Sequence, residues 1–63
     1  MSYVIVRREK GRVEFVTPSG SQSSFTTSLN KARVFATRAD AEKEKCDNET
    51  IRKVDSLSRE GYW

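Results

Sequence analysis

The stretch "YVIVRREKGRVEFVT", residues 3–17, decides how this chain folds. It opens on an apolar, β-branched run and turns basic at Arg7 and Arg8. It then resumes as an alternation in which Val13 and Phe15 stand among Arg12, Glu14 and Val16. Two such runs around a short glycine-containing segment read as a β-hairpin. Three residues, Glu9 to Gly11, separate them, and Gly11 supplies the positive φ that a three-residue turn requires. With that turn, Tyr3 and Ile5 are expected on the core face together with Val13 and Phe15. Arg7, Arg8, Lys10 and Arg12 then gather near the hairpin tip.

Working outward, "PSGSQSS" at 18–24 is punctuated by Pro18 and Gly20 and has no apolar anchor, so a mobile loop is expected there. It lacks the GxxxxGK[ST] pattern of a phosphate-binding loop. "SFTTSL" fits a short strand, Ser28 is placed to cap one helical turn carrying Leu29 and Ala32, and "RVFA" returns to strand-like character. Thr37, with Asp40 three residues on, resembles a capping box at the start of a helix. Asp40 and Glu42 early, and Lys43 and Lys45 late, suit the helix dipole, and Arg38 can pair with Glu42 across one turn. Ala39, Cys46 and the stems of residues 42 and 43 form the expected inner face, and Asn48 can end the helix.

"ETIRKVDSL", residues 49–57, carries two patterns. Ile51, Val54 and Leu57 recur at every third position, as in a helix, whereas Thr50, Ile51 and Val54 also fit a strand. A two-stranded hairpin is hardly stable alone, which favours the strand. The fold class expected is therefore a small α+β domain spanning 1–63. It has a mostly antiparallel sheet, a hairpin plus one or two further strands, with a single helix packed across it and a flexible tail at 58–63.

Composition narrows what such a domain can do. Sixty-three residues make one domain at most, and below roughly 70–80 residues a single core seldom supplies more than ~3–5 kcal/mol. One cysteine excludes an intrachain disulfide, and with no histidine neither zinc nor another metal staple is expected. The apolar run at the start is too short for a signal segment, and no run approaches the ~20 residues of a membrane span. A soluble, cytoplasmic protein with no membrane partner is the expectation. The net charge of +3 is uneven: residues 1–38 carry seven Lys/Arg against two acids, residues 39–63 five against seven. Such asymmetry marks either a face for an acidic partner or a solvated surface that keeps a small domain soluble.

Catalytic chemistry finds no foothold. The usual general base is missing, and Cys46 falls at the end of the expected helix, where the dipole disfavours a thiolate, so a buried or half-buried structural role is expected. Asp40, Glu42, Glu44, Asp47 and Glu49 lack the order and central glycine of a calcium loop and are interleaved with lysines, which reads as a solvated helix face. No catalytic residue, metal ligand or cofactor is assigned. Binding is better served. Arg7, Arg8, Lys10 and Arg12, extended by Lys31, Arg33 and Arg38, form the set that a nucleic-acid phosphate backbone would use, although Glu9 and Glu14 interrupt it and no aromatic run serves base stacking. At the far end, "SREGYW" sets Tyr62 and Trp63 after a glycine, close to Arg59. Tyr, Trp and Arg are enriched at interface hot spots, but the two aromatics can equally fold back onto a core short of aromatic area.

Taken together, "SYVIVRREKGRVEFVTPSG", "SFTTSLNKARVFATRADAEKE" and "IRKV" resemble small phage- and prophage-encoded accessory proteins. Such proteins have a Tyr-x-Ile opening strand, a hairpin, a polar loop, an A-x-x-F-x-T-x-x-x-A pattern and a closing strand. Here that pattern is Ala32, Phe35, Thr37 and Ala41. The resemblance implies that the alanine closes a turn, the phenylalanine enters the core and the threonine caps the helix. It also implies a protein that binds and redirects host proteins or inhibits bacterial defence, and it carries no functional residue over. The expected function is thus non-enzymatic binding of a host macromolecule, most naturally a host protein, through Arg7, Arg8, Lys10, Arg12, Arg59, Tyr62 and Trp63. A nucleic-acid-binding module and a homo-oligomer that buries Tyr62 and Trp63 between subunits are the alternatives.

Overall fold

The structure, a computed structural model, describes residues 2–62. It is a small α+β fold whose elements follow the order β1 (Tyr3–Glu9), β2 (Arg12–Val16), β3 (Phe25–Thr26), a 3-10 turn (Leu29–Lys31), α1 (Arg38–Glu44), β4 (Thr50–Lys53) and α2 (Val54–Arg59). The four strands form one antiparallel sheet in the order β3-β2-β1-β4, so β1 is central. Its apolar run is buried on both faces: Val4 and Ile5 are 0% exposed and Val6 6%. That explains why the run does not alternate, as strands covered on both sides seldom do.

The hairpin forms as expected, but its turn is shorter. Glu9 pairs with Arg12, leaving Lys10 and Gly11 as a two-residue loop, and both have positive φ, 52° and 80°. This is the type I′ pattern, whose twist matches that of the strands it joins. The register follows: Val6 faces Phe15 and Arg8 faces Val13. Phe15 and Val13 therefore share a face with Val4 and Val6, not with Tyr3 and Ile5 as a three-residue turn would have it. One residue of slip moves every side chain to the other face.

Two small cores result, one on each side of the sheet. On one, Val4, Val6 and Phe15 pack with Leu29, Ala32 and Leu57, and Val13, Val54 and Tyr62 lie partly buried against them. On the other, Ile5, Ile51, Phe35 and Ala41 pack together, flanked by Tyr3 and Val16. β2 ends at Val16, before Pro18 turns the chain away. Residues 33–35 take its lane beside the start of β1: Arg33 N–H donates to Val16 C=O at 2.8 Å, and Tyr3 and Phe35 exchange both backbone bonds, at 2.8 and 2.9 Å. The strand-like "RVFA" is thus a single bridge at Phe35.

α1 starts where the cap predicts, Thr37 Oγ1 accepting from Asp40 N–H at 3.2 Å. Its inner residue is Ala41, 0% exposed; Ala39 and Cys46 are exposed, because the helix ends at Glu44 and contacts the sheet through one turn only. Glu49, expected on a solvated helix face, is instead buried, its carboxylate accepting from Cys46 N–H at 2.9 Å in the loop that leads into β4. Ser28 makes no capping bond; its hydroxyl donates to the Asn30 side chain within the 3-10 turn.

Residues 49–57 resolve both of their patterns. Thr50–Lys53 is the edge strand beside β1, and Val54 begins a helix with no residue between, so the expected single helix is joined by a second, short one. Residues 58 and 59, expected to begin a flexible tail, complete that helix. Gly61, at φ 93°, ends it: Gly61 N–H donates to Ser58 C=O at 3.2 Å and Tyr62 N–H to Leu57 C=O at 3.1 Å, the paired bonds of a Schellman cap. The 18–24 segment is a loop as expected, tied at its base by Thr17 N–H to Ser24 C=O at 3.1 Å. Among the described residues no helix is long and apolar enough to cross a membrane.

Two outcomes test this arrangement. Truncating Phe15 to alanine removes a fully buried ring at a cost of about 3–5 kcal/mol. Total stability for a chain this size is about 3–9 kcal/mol. Phe15→Ala is expected to lose most of its amide dispersion at 25 °C, and a native-like spectrum would refute the placement of Phe15 at the centre of that core. Lys10→Asn suits the left-handed conformation better than lysine does and is expected to raise stability by about 0.5–1 kcal/mol in denaturant unfolding. An unchanged or lower midpoint would contradict the two-residue turn.

Candidate functional site

β1 changes character at its middle, from Val4–Val6 to Arg7–Glu9, so the half of the sheet nearest the hairpin turn is built from charged side chains. Register and pleat distribute them. Arg8 shares the face that packs on α2 with Val6 and Val13; Arg7, Glu9, Arg12 and Glu14 share the α1 face. Arg7 is engaged within the protein: its guanidinium is 2.9 Å from Glu14 Oε1 and its Cζ lies 3.4 Å from the centroid of the Phe25 ring. That cluster substitutes for a hydrophobic core at this end of the α1 face. Arg8, Lys10 and Arg12 are exposed and form no ion pair among the described residues. The turn thus presents three free cations with one acid, Glu9, among them.

The remaining basic residues sit on other elements. Arg33 is half-buried with its Cζ 4.6 Å from the Phe35 ring centroid, Lys31 is exposed on the 3-10 turn, and Arg38 sits at the start of α1, 3.8 Å from Glu42. Arg59 is exposed in the last turn of α2. Tyr62 folds back: it is half-buried, with its ring edge-on to Phe15 at 5.9 Å between centroids. Of the two outcomes weighed for the terminal aromatics, Tyr62 shows the inward one; Trp63 lies outside the described residues.

Beside Arg8 the sheet opens into a cleft of about 320 Å³. Val6, Val13 and Leu57 provide its apolar lining, and Arg8, Asn48, Thr50, Arg52, Glu60 and Tyr62 its polar rim. Arg52 Nη2 lies 2.6 Å from Glu60 Oε2 across the rim. None of Arg52, Glu60, Thr50 and Asn48 is assigned to a site from the sequence, which gives Asn48 only as a helix end and Thr50 only as a strand residue. Two signals point to all but Asn48. Once "TIRK" is a strand beside β1, Thr50 and Arg52 alternate onto one face, and Leu57 with Gly61 and Tyr62 has the spacing of a Schellman cap that folds Glu60 and Tyr62 back on that face. Among the described residues no group of three His, Cys, Asp or Glu side chains is placed to hold a metal ion. Compared with protein-family models, curated proteins and solved structures, the chain matches none.

The inward packing of Tyr62 separates stability from binding at this end. Tyr62→Ala is expected to lower unfolding stability by about 2–3 kcal/mol, while Tyr62→Phe, which keeps the ring, changes it by less than about 1 kcal/mol. Equal stability of Tyr62→Ala and the parent in chemical denaturation would show that the ring does not serve the core.

Proposed function

We propose that this chain is a non-enzymatic accessory protein of the phage type, which works in the host cytoplasm by docking its basic hairpin end on an acidic surface of a host protein. The observation that carries the reading is the set Arg8, Lys10 and Arg12: exposed, without ion pairs among the described residues, and held on a two-residue turn at the end of the central strand. The turn backbone is already formed, so binding has only side chains to order there, at about 0.5–1.5 kcal/mol each, and charge complementarity steers encounter and selects partners. Val34 is the exposed large hydrophobic among the described residues, so the docking energy comes from charge and polar contacts more than from apolar area.

The same cations would attract a nucleic acid, but the seven residues first grouped for that role are divided. Arg7 is held by Glu14 and the Phe25 ring, and Arg33 is half-buried with its Cζ 4.6 Å from the Phe35 ring centroid, so neither is free for phosphate. Phe15 and Phe35 are buried, so neither offers a stacking platform for bases.

Affinity capture from a nuclease-treated bacterial lysate tests the proposal, with Arg8→Gln/Lys10→Gln/Arg12→Gln as the matched control. At about 50 mM salt the parent is expected to retain a discrete protein that the triple variant does not, and about 0.5 M salt is expected to release it. Identical captures by the two proteins, or retention of nucleic acid alone in an untreated lysate, would overturn it.

A further inference from the structure

The cleft beside Arg8 has a composition of its own. Its rim carries several hydrogen-bond donors: two guanidinium groups, the Asn48 amide and the Tyr62 hydroxyl, whereas the Thr50 hydroxyl already donates to Val6 C=O at 3.4 Å. Negative charge enters it from one side chain only, Glu60, which lies against Arg52. Arg8 brings a guanidinium with no ionic partner among the described residues. A fork of N–H donors over an apolar lining suits an oxyanion attached to carbon or phosphorus, because guanidinium matches carboxylate and phosphate bidentately.

We infer that this cleft seats one oxyanion, a phosphoryl or carboxylate group, and that Glu60 acts as the internal stand-in the ligand displaces from Arg52. The displacement is cheap: the Arg52 and Glu60 side chains are 42% and 48% exposed, and ion pairs so exposed contribute little. The end of α2 does not depend on it either, since the Schellman bonds from Gly61 and Tyr62 hold that cap through the backbone. Arg52 is therefore free to exchange one carboxylate for another anion while the fold stays intact. The inference does not require a host partner, because a small anion addresses the cleft directly.

The test is a titration of the full ¹³C,¹⁵N-labelled chain at constant ionic strength with sodium phosphate, with sodium acetate, and with sodium chloride as the baseline. Saturable shifts are expected at the amides of Arg8, Asn48 and Thr50 with at least one oxyanion and not with chloride. Saturation by phosphate alone assigns a phosphoryl seat, by acetate alone a carboxylate seat, and by both a general oxyanion seat. Arg8→Gln is expected to weaken binding about tenfold or more, and as an exposed residue it leaves the fold undisturbed. Glu60→Gln removes the stand-in and is expected to tighten binding about threefold. In the parent, the Glu60 carboxylate carbon signal is expected to move with the same midpoint as the amides, which tests displacement without any substitution. Shifts that rise linearly as with chloride, an unmoved Glu60 signal, or binding no tighter in Glu60→Gln would overturn the inference.

Discussion

Everything in this fold depends on the burial of one strand on both of its faces. Val4, Ile5 and Val6 point alternately to opposite sides of the sheet, and neither side can be left to water. The chain answers with one small layer per face: Phe35 before α1 and Ala41 within it on one, Leu29 of the 3-10 turn, Ala32 just after it and Leu57 of α2 on the other. Helices of seven and six residues are far too short to persist alone, so both exist because β1 gives them something to cover. The dependence is mutual, since β4 and α2 come from the far end of the chain and complete the sheet edge and both cores, through Ile51 and Leu57. A partly assembled version would leave an apolar strand face bare, which is the physical reason to expect all-or-none folding.

What could be read from the residues was whatever is encoded locally. The hairpin announced itself through its strands and glycine, and α1 through Thr37 and Asp40; the structure has both. The register was not readable from the strand that matters most. Four apolar residues in succession, Tyr3 to Val6, carry no alternation to say which face each belongs to. The decision passes to the turn, where counting Lys10 and Gly11 as the loop instead of three residues reverses the answer. Residues 49–57 were ambiguous for a related reason: a four-residue strand and a six-residue helix share them end to end, and any window wide enough to show a period averages the two. Gly61 looked like flexibility and is a stop signal, a distinction that rests on Leu57 and Tyr62 standing at the two apolar positions of the cap.

The same change of character along β1 separates what folds from what is free to bind. Its first half is core and its second half charged, so the sheet projects a polar end that neither helix covers. Bare charges on a sheet face would ordinarily be loosely ordered. Here Arg7 is fixed between Glu14 and the Phe25 ring, which stiffens the α1 face of that end and leaves Arg8 alone on the other. The candidate cleft lies at the boundary, with Val6, Val13 and Leu57 from the core as its lining and the first charged residues as its rim. A site at such a boundary inherits the rigidity of the core without being buried in it, which is what preorganised recognition needs.

The turn carries both demands at once. Because it sets the register, Lys10–Gly11 decides that Arg8 lines the cleft and that Arg12 faces the other way. A two-residue loop of this type is best served by asparagine or glycine at its first position, and a lysine at φ 52° is a poor local choice. Local sequence and global fold usually agree, and departures from that agreement tend to mark positions held for another purpose. Lysine costs the turn some conformational ease and places a third unpaired cation at the outermost point of the sheet, between Arg8 and Arg12. On the docking reading proposed above, that cation offsets the conformational cost at Lys10; for stability alone, asparagine or glycine serves the turn better.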